Sequence, residues 1–158
     1  MRKRNGYAAL AVAAAVAALA VVPGAIGSDK PDLLRSGVAG STPPTATPAG
    51  PVLFGVNPGG APWVANRHSS IRVERDGGVR IKVRGLIIPD GRVPPNPLKT
   101  LVASLVCNGA VVATTDPVPF SPEGDANIRQ EVMVPKPCVA PVVLLRPSAV
   151  GPYIGATG

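Results

Sequence analysis

The chain has 158 residues, a formal charge of +7, 3% aromatic residues, 20 prolines and 18 glycines. So many helix breakers argue against a helical protein, and so few aromatics leave no stacking platform for single-stranded nucleic acid. Arg2, Lys3 and Arg4 hold three of the sixteen basic residues; beyond them thirteen bases face nine acids, a surplus of four, which is modest for a nucleic-acid surface.

Residues 1–27 read as a secretory signal. Arg2-Lys3-Arg4 is the charged start, Ala8 to Val22 an apolar run, Pro23-Gly24 its break and Ala25-Ile26-Gly27 the small-residue cleavage site. The run is Ala-rich and shorter than the roughly 20 residues of a spanning helix. The expectation is an extracellular, secreted protein that does not span a membrane once the signal is cleaved.

Residues 28–60 shift to Ser, Thr, Pro, Gly and Ala, as in Gly40-Ser-Thr-Pro-Pro-Thr-Ala-Thr-Pro-Ala-Gly50. Such a composition buries too little to offset its ordering entropy, and a disordered or loosely extended linker is expected. Val52 to Val56 is the exception, a short strand or a tether between Pro51 and Pro58.

A β domain is expected over 61–158. Ser70–Arg75 and Val79–Arg84 alternate apolar and polar residues around Asp76-Gly77-Gly78, a hairpin signal. Ile71, Val73, Val79, Ile81 and Val83 should face the core, and Arg72, Glu74, Arg80, Lys82 and Arg84 should face out. Gly85–Pro89 prolongs the second strand, and Arg92–Pro97 is a proline-rich loop.

Leu101–Cys107 and Ala110–Thr115 are β-prone runs on either side of Asn108-Gly109, the dipeptide that best accepts the positive φ angles of a tight hairpin. Leu101, Ala103, Leu105 and Cys107 share one face, which places Cys107 inside. Asp116–Asp125 is a connection with a turn at Ser121–Gly124. Ala126–Val134 is a further strand with Gln130 out of phase. Cys138 opens a last apolar run whose Pro141 suggests an edge or a bulge, and Tyr153-Ile154 closes the fold.

Six to seven short antiparallel strands at about ten-residue spacing make an all-β protein, a small β-sandwich of immunoglobulin-like architecture; a small β-barrel is the alternative. The two cysteines, Cys107 and Cys138, allow one disulfide in an oxidising compartment. It closes a loop of about 30 residues, worth about 3 to 4 kcal/mol in the chain-entropy treatment.

The candidate partner-binding residues are Arg72, Arg80, Lys82 and Arg84, a cationic stripe suited to an anionic envelope polymer or an acidic protein; the same alternation also dresses any solvated sheet face. Asp116, Glu123 and Asp125 are weak metal candidates, without the dense acidic spacing of a dedicated calcium loop. His68, the one histidine, has no locally spaced acid to orient its ring. No catalytic residue and no cofactor is assigned.

Leu101-Val-Ala-Ser-Leu-Val-Cys107-Asn-Gly109, Thr115-Asp-Pro-Val-Pro-Phe-Ser-Pro-Glu-Gly124-Asp and Tyr153-Ile-Gly-Ala-Thr-Gly158 carry a resemblance. The chain resembles the small exported β-domain proteins of GC-rich bacteria, a group with no assigned activity, and the resemblance brings no site to carry over. The expected function is a secreted non-enzymatic binding or structural module using the cationic hairpin face. The alternative is a metal-dependent (calcium-dependent) hydrolase or a calcium-binding domain built on the Asp116–Asp125 loop.

Overall fold

The computed structural model describes residues 30–158, so the expected signal at 1–27 lies outside the described residues. These residues form ten strands in two antiparallel sheets: β1 (Asp32–Ser36), β2 (Val38–Gly40), β3 (Ser70–Glu74), β4 (Gly78–Val83), β5 (Thr100–Cys107), β6 (Ala110–Thr114), β7 (Val118–Pro119), β8 (Ala126–Glu131), β9 (Val142–Arg146) and β10 (Gly155–Thr157). One sheet has the order β1-β3-β4-β8; the other has β2-β10-β9-β5-β6, with β7 also pairing β5. The result is a small β-sandwich of two open sheets, not a closed barrel.

The two expected hairpins form as read. Asn108 and Gly109 have φ angles of 56° and 80°, so both residues of the β5–β6 turn sit in the left-handed region that this dipeptide tolerates. In the β3–β4 turn, Gly77 N–H donates to Glu74 O at 3.0 Å and Gly78 N–H to Asp76 Oδ1 at 3.3 Å. The period-two pattern then sorts the side chains. Ile71, Val73, Val79, Ile81, Val83, Ala126 and Ile128 of one sheet meet Leu101, Ala103, Leu105, Cys107, Val143 and Leu145 of the other, with Trp63, Leu86, Phe120 and Ile154 completing the core. Each fully buried Val, Leu or Ile contributes about 1.5–3 kcal/mol.

Residues 30–60, expected as a linker, are drawn into the fold. β1 pairs antiparallel with β3, and β2 pairs with β10, so one segment lies at the edge of both sheets. Gly37 alone separates the two strands. At Gly40 the chain passes so close to Trp63 that an added Cβ would lie 1.9 Å from the Trp63 carbonyl oxygen. Further on, Leu53 and Val56 close a tight turn with mutual N–H···O bonds of 3.0 and 2.8 Å. They cover Val106, Leu144, Tyr153 and Ala156 on the outer side of the six-stranded sheet, and Tyr153 O–H donates to Pro51 O at 2.7 Å. Composition missed this because a few well-placed apolar residues (Leu33, Leu34, Val38, Leu53 and Val56) suffice when two sheet edges and one open face await them.

Three further expectations shift. Gly85, with φ 55°, ends β4, and Leu86 N–H turns to Gly124 O instead of prolonging the strand. Pro141 precedes β9, which runs between β5 and β10 as an interior strand and not an edge. Tyr153-Ile154 only leads into the closing strand, β10. Cys107 and Cys138 form the expected disulfide. Among the described residues no helix is long and apolar enough to cross a membrane.

A candidate anion-binding face

The outer side of the four-stranded sheet is organised by strand register. Arg35 of β1 lies opposite Arg72 of β3, Arg72 opposite Arg80 of β4, and Arg80 opposite Arg129 of β8. Residues directly opposite in an antiparallel sheet point to the same face, so four arginines form one row across four strands. The next row, two residues along, is Ser70, Lys82 and Asn127. Between the two rows runs a groove of about 590 Å³, lined by Ser70, Arg72, Arg80, Lys82, Asn127 and Arg129. Adjacent strands lie about 4.8 Å apart and two residues advance about 7 Å, so the groove crosses the strands and does not follow them.

Acids stand behind the arginine row, on the side away from the groove. Arg72 Nε donates to Asp32 Oδ1 at 2.5 Å, and Arg35 Nε donates to Asp32 Oδ2 at 3.0 Å. Burial alone would push the Asp32 carboxyl up, but these two bonds outweigh it and hold it below the usual carboxylate range. Glu74 lies under the row with its side chain 4% exposed, 3.8 Å from Arg72 and 3.6 Å from Arg80. Gly78 makes room for it, since a Cβ there would meet Glu74 Oε2 at 2.6 Å. Arg80 remains 65% exposed, and among the described residues its one ion pair is that loose contact.

Lys82 and Arg129 are exposed and have no hydrogen bond or ion pair among the described residues. Arg84 is the fourth residue expected on this face, and it is spent at the groove's end. Its Nη1 donates to Val83 O at 2.8 Å, its Nη2 to Asn127 Oδ1 at 3.4 Å, and Asp125 lies 3.8 Å from its Nε. The structure thus brings Arg72, Arg80 and Lys82 together as read and adds Arg35 and Arg129. The rows and the acids behind them hold five cations, with Asp32, Glu74 and Glu131 as the acids, a surplus of two positive charges.

The comparisons with known proteins are negative: no family model, no curated protein and no solved structure matches this chain.

The other candidates do not converge. Asp116 engages Gln130 through its backbone, its N–H donating to Oε1 at 2.8 Å and its carbonyl accepting from Nε2 at 3.2 Å. Asp125 Oδ1 accepts Gly85 N–H at 2.9 Å, and Glu123 is exposed on the turn between them. Among the described residues no three His, Cys, Asp or Glu side chains gather as a metal site. His68 lies exposed in a turn with its N–H on Asn66 Oδ1 at 3.0 Å. Ser69, beside it, is buried and fully used, donating to Arg84 O at 3.1 Å and accepting Arg84 N–H at 2.9 Å.

Like Arg35 and Arg129, a cation away from this face escaped the sequence reading. Arg146 of β9 is 7% exposed; its Nε donates to Gly151 O at 2.7 Å and its Nη1 to Ser104 Oγ at 3.4 Å. Both partners are neutral, and burial pushes its guanidinium below the ordinary arginine value. It ties the 147–151 loop to the outer side of the six-stranded sheet, away from the groove.

Proposed function

We propose that the protein is an exported, non-enzymatic binding module whose outer four-stranded face engages an anionic polymer. The observation that carries this reading is the register row Arg35–Arg72–Arg80–Arg129 beside Lys82, in which Lys82 and Arg129 have no acidic partner among the described residues. A solvated sheet face ordinarily mixes charges across strands, because like charges directly opposite are destabilising. A row of arginines set against arginines is the arrangement an anionic partner would relieve. Export is supported by the tripartite N-terminal pattern and is consistent with the Cys107–Cys138 bridge, since disulfides persist in oxidising compartments.

The test is retention of the protein on an immobilised polyanion over a salt gradient, compared with a variant carrying Arg80→Gln, Lys82→Gln and Arg129→Gln. Retention at low salt should be lost by about 1 M, where the screening length falls to about 3 Å. The triple variant should elute early while remaining folded; its melting temperature is measured alongside, because Arg80 also lies 3.6 Å from the buried Glu74. Equal retention of the two proteins overturns the reading.

A further inference from the structure

We propose that the groove contains a defined seat for a sulfate or phosphate monoester, placed over β4 and β8 between Arg80, Lys82 and Arg129, with the polymer that bears it running across the strands. This rests on the anion-binding reading of the face and adds to it a ligand class, a position and a direction.

The register supplies the geometry. Arg80 and Arg129 are directly opposite on neighbouring strands, and Lys82 lies two residues beyond Arg80, diagonal to Arg129. Opposite Cβ atoms in such a sheet are about 5 Å apart and diagonal neighbours about 7–8 Å, within the reach of long side chains. Two guanidinium groups from one bank and one ammonium from the other are therefore long enough to meet over Ile81 and Ile128, which also border the groove. No acid lines this groove. The acids that temper the arginine row, Asp32 and Glu74, contact Arg35, Arg72 and Arg80 from the far side.

The chemistry selects the anion. A monoester of sulfate or phosphate presents three terminal oxygens, enough for one charge-assisted hydrogen bond from each of three cations approaching from different sides. A carboxylate has two oxygens in one plane. It satisfies one guanidinium well, as a bidentate pair, and leaves the other cations wanting. Opposite the arginines, Ser70 and Asn127 flank Lys82 with neutral donors and acceptors, suited to the hydroxyls of a polymer backbone. No aromatic residue lines the groove, so a neutral sugar ring would find nothing to stack on.

The experiment measures affinity for three dextrans of matched length and degree of substitution, namely dextran sulfate, dextran phosphate and carboxymethyl dextran, at about 0.1 M salt, where screening acts over about 10 Å. The protein, Lys82→Gln, Arg129→Gln and Arg35→Gln are compared, with melting temperature as the folding control. A sulfated or phosphorylated dextran should bind about tenfold tighter than the carboxylated one, as expected for one additional charged hydrogen bond. Lys82→Gln and Arg129→Gln should each abolish that preference, whereas Arg35→Gln, at the remote end of the row, should keep it. The tighter of the two ester polymers names the source of the anion. Equal affinity for all three dextrans, or equal damage from Arg35→Gln and Arg129→Gln, overturns the seat while leaving the anion-binding face standing. No binding to any of them at low salt overturns both.

Discussion

Asn108 and Val139, the residues that follow the two bridged cysteines, hold each other reciprocally: Asn108 N–H donates to Val139 O at 2.9 Å, and Val139 N–H donates to Asn108 Oδ1 at 2.9 Å. Asn108 Nδ2 adds a bond to Pro137 O at 3.0 Å. A turn residue chosen for its tolerance of positive φ thus also anchors the loop that carries Cys138. Asn108→Gly keeps the backbone conformation and loses the two side-chain bonds, and should cost about 1–2 kcal/mol. Asn108→Ala loses the same bonds but keeps a Cβ in the left-handed region, which the glycine variant does not, and should be about 1 kcal/mol less stable than it. Urea denaturation of the two variants separates these contributions.

Removing the disulfide tests how far the fold relies on it. Cys107 and Cys138 are 31 residues apart, so reduction should lower stability by about 3–4 kcal/mol through the entropy of the unfolded chain. Urea midpoints with and without reductant measure this directly. An Asn108→Gly background should lose less than the sum of the two effects, since both act on the same pair of segments.

At Gly40 the close approach to Trp63 leaves no room for a methyl group. Gly40→Ala must displace β2, Trp63 or both, at a cost of about 1–3 kcal/mol for a strained repacking. Trp63 is the one tryptophan in the chain, so its fluorescence reports the displacement in the folded state, and thermal unfolding reports the cost.

Arg146 offers the reverse case. A buried cation bonded only to neutral groups gains little from its charge, and an apolar side chain of similar length should serve as well. Arg146→Met is expected to stay within about 1 kcal/mol of the parent in urea, whereas Arg146→Ala loses the packing of the stem and costs about 2 kcal/mol or more. Amide exchange in residues 147–152 should quicken in both variants, because Gly151 O loses its donor.

Acid should destabilise the protein over a defined window. The hydrogen bonds from Arg92 hold the Asp90 carboxyl at about 2, against an ordinary value of 3.8. Lys30 holds Asp76 below the usual range, and Asp32 is held there as described. A carboxylate depressed in the folded state adds stability that is fully present above its unfolded value and is lost as pH falls through the folded one. Urea midpoints should therefore stay level with respect to these groups above about pH 5 and fall from there towards pH 2. Asp90→Asn should remove one share of that slope and leave the remainder.

Both hairpins were legible because each is a local event: two alternating strands and the turn between them lie within about fifteen residues. The core set followed from the same alternation. The candidate site was legible only by half. Arg72, Arg80 and Lys82 sit on one hairpin, but Arg35 and Arg129 join them through pairings of β1 with β3 and β4 with β8, roughly forty to fifty residues apart, which no local pattern announces. A signal for Arg129 was present in the alternation of Asn127, Arg129 and Glu131 against Ala126 and Ile128, obscured by Gln130. That residue occupies an inward position by period and uses its amide to bond the backbone of Asp116 as a strand partner would. Residues 30–60 were misread for a different reason. Their composition is that of a solvated tether, and their order comes from sheet edges and an apolar face formed by residues much further along the chain.

The single-residue crossover at Gly37 has a mechanical corollary. Tension applied at Lys30 would enter the sandwich through a segment stitched first to one sheet and then to the other, and secured beyond β10 by the bond from Ser36 Oγ to Gly158 O at 2.7 Å. A pull cannot carry away the edge of one layer without soon loading the edge of the second, so the anchoring stretch behaves as a strap riveted to both halves.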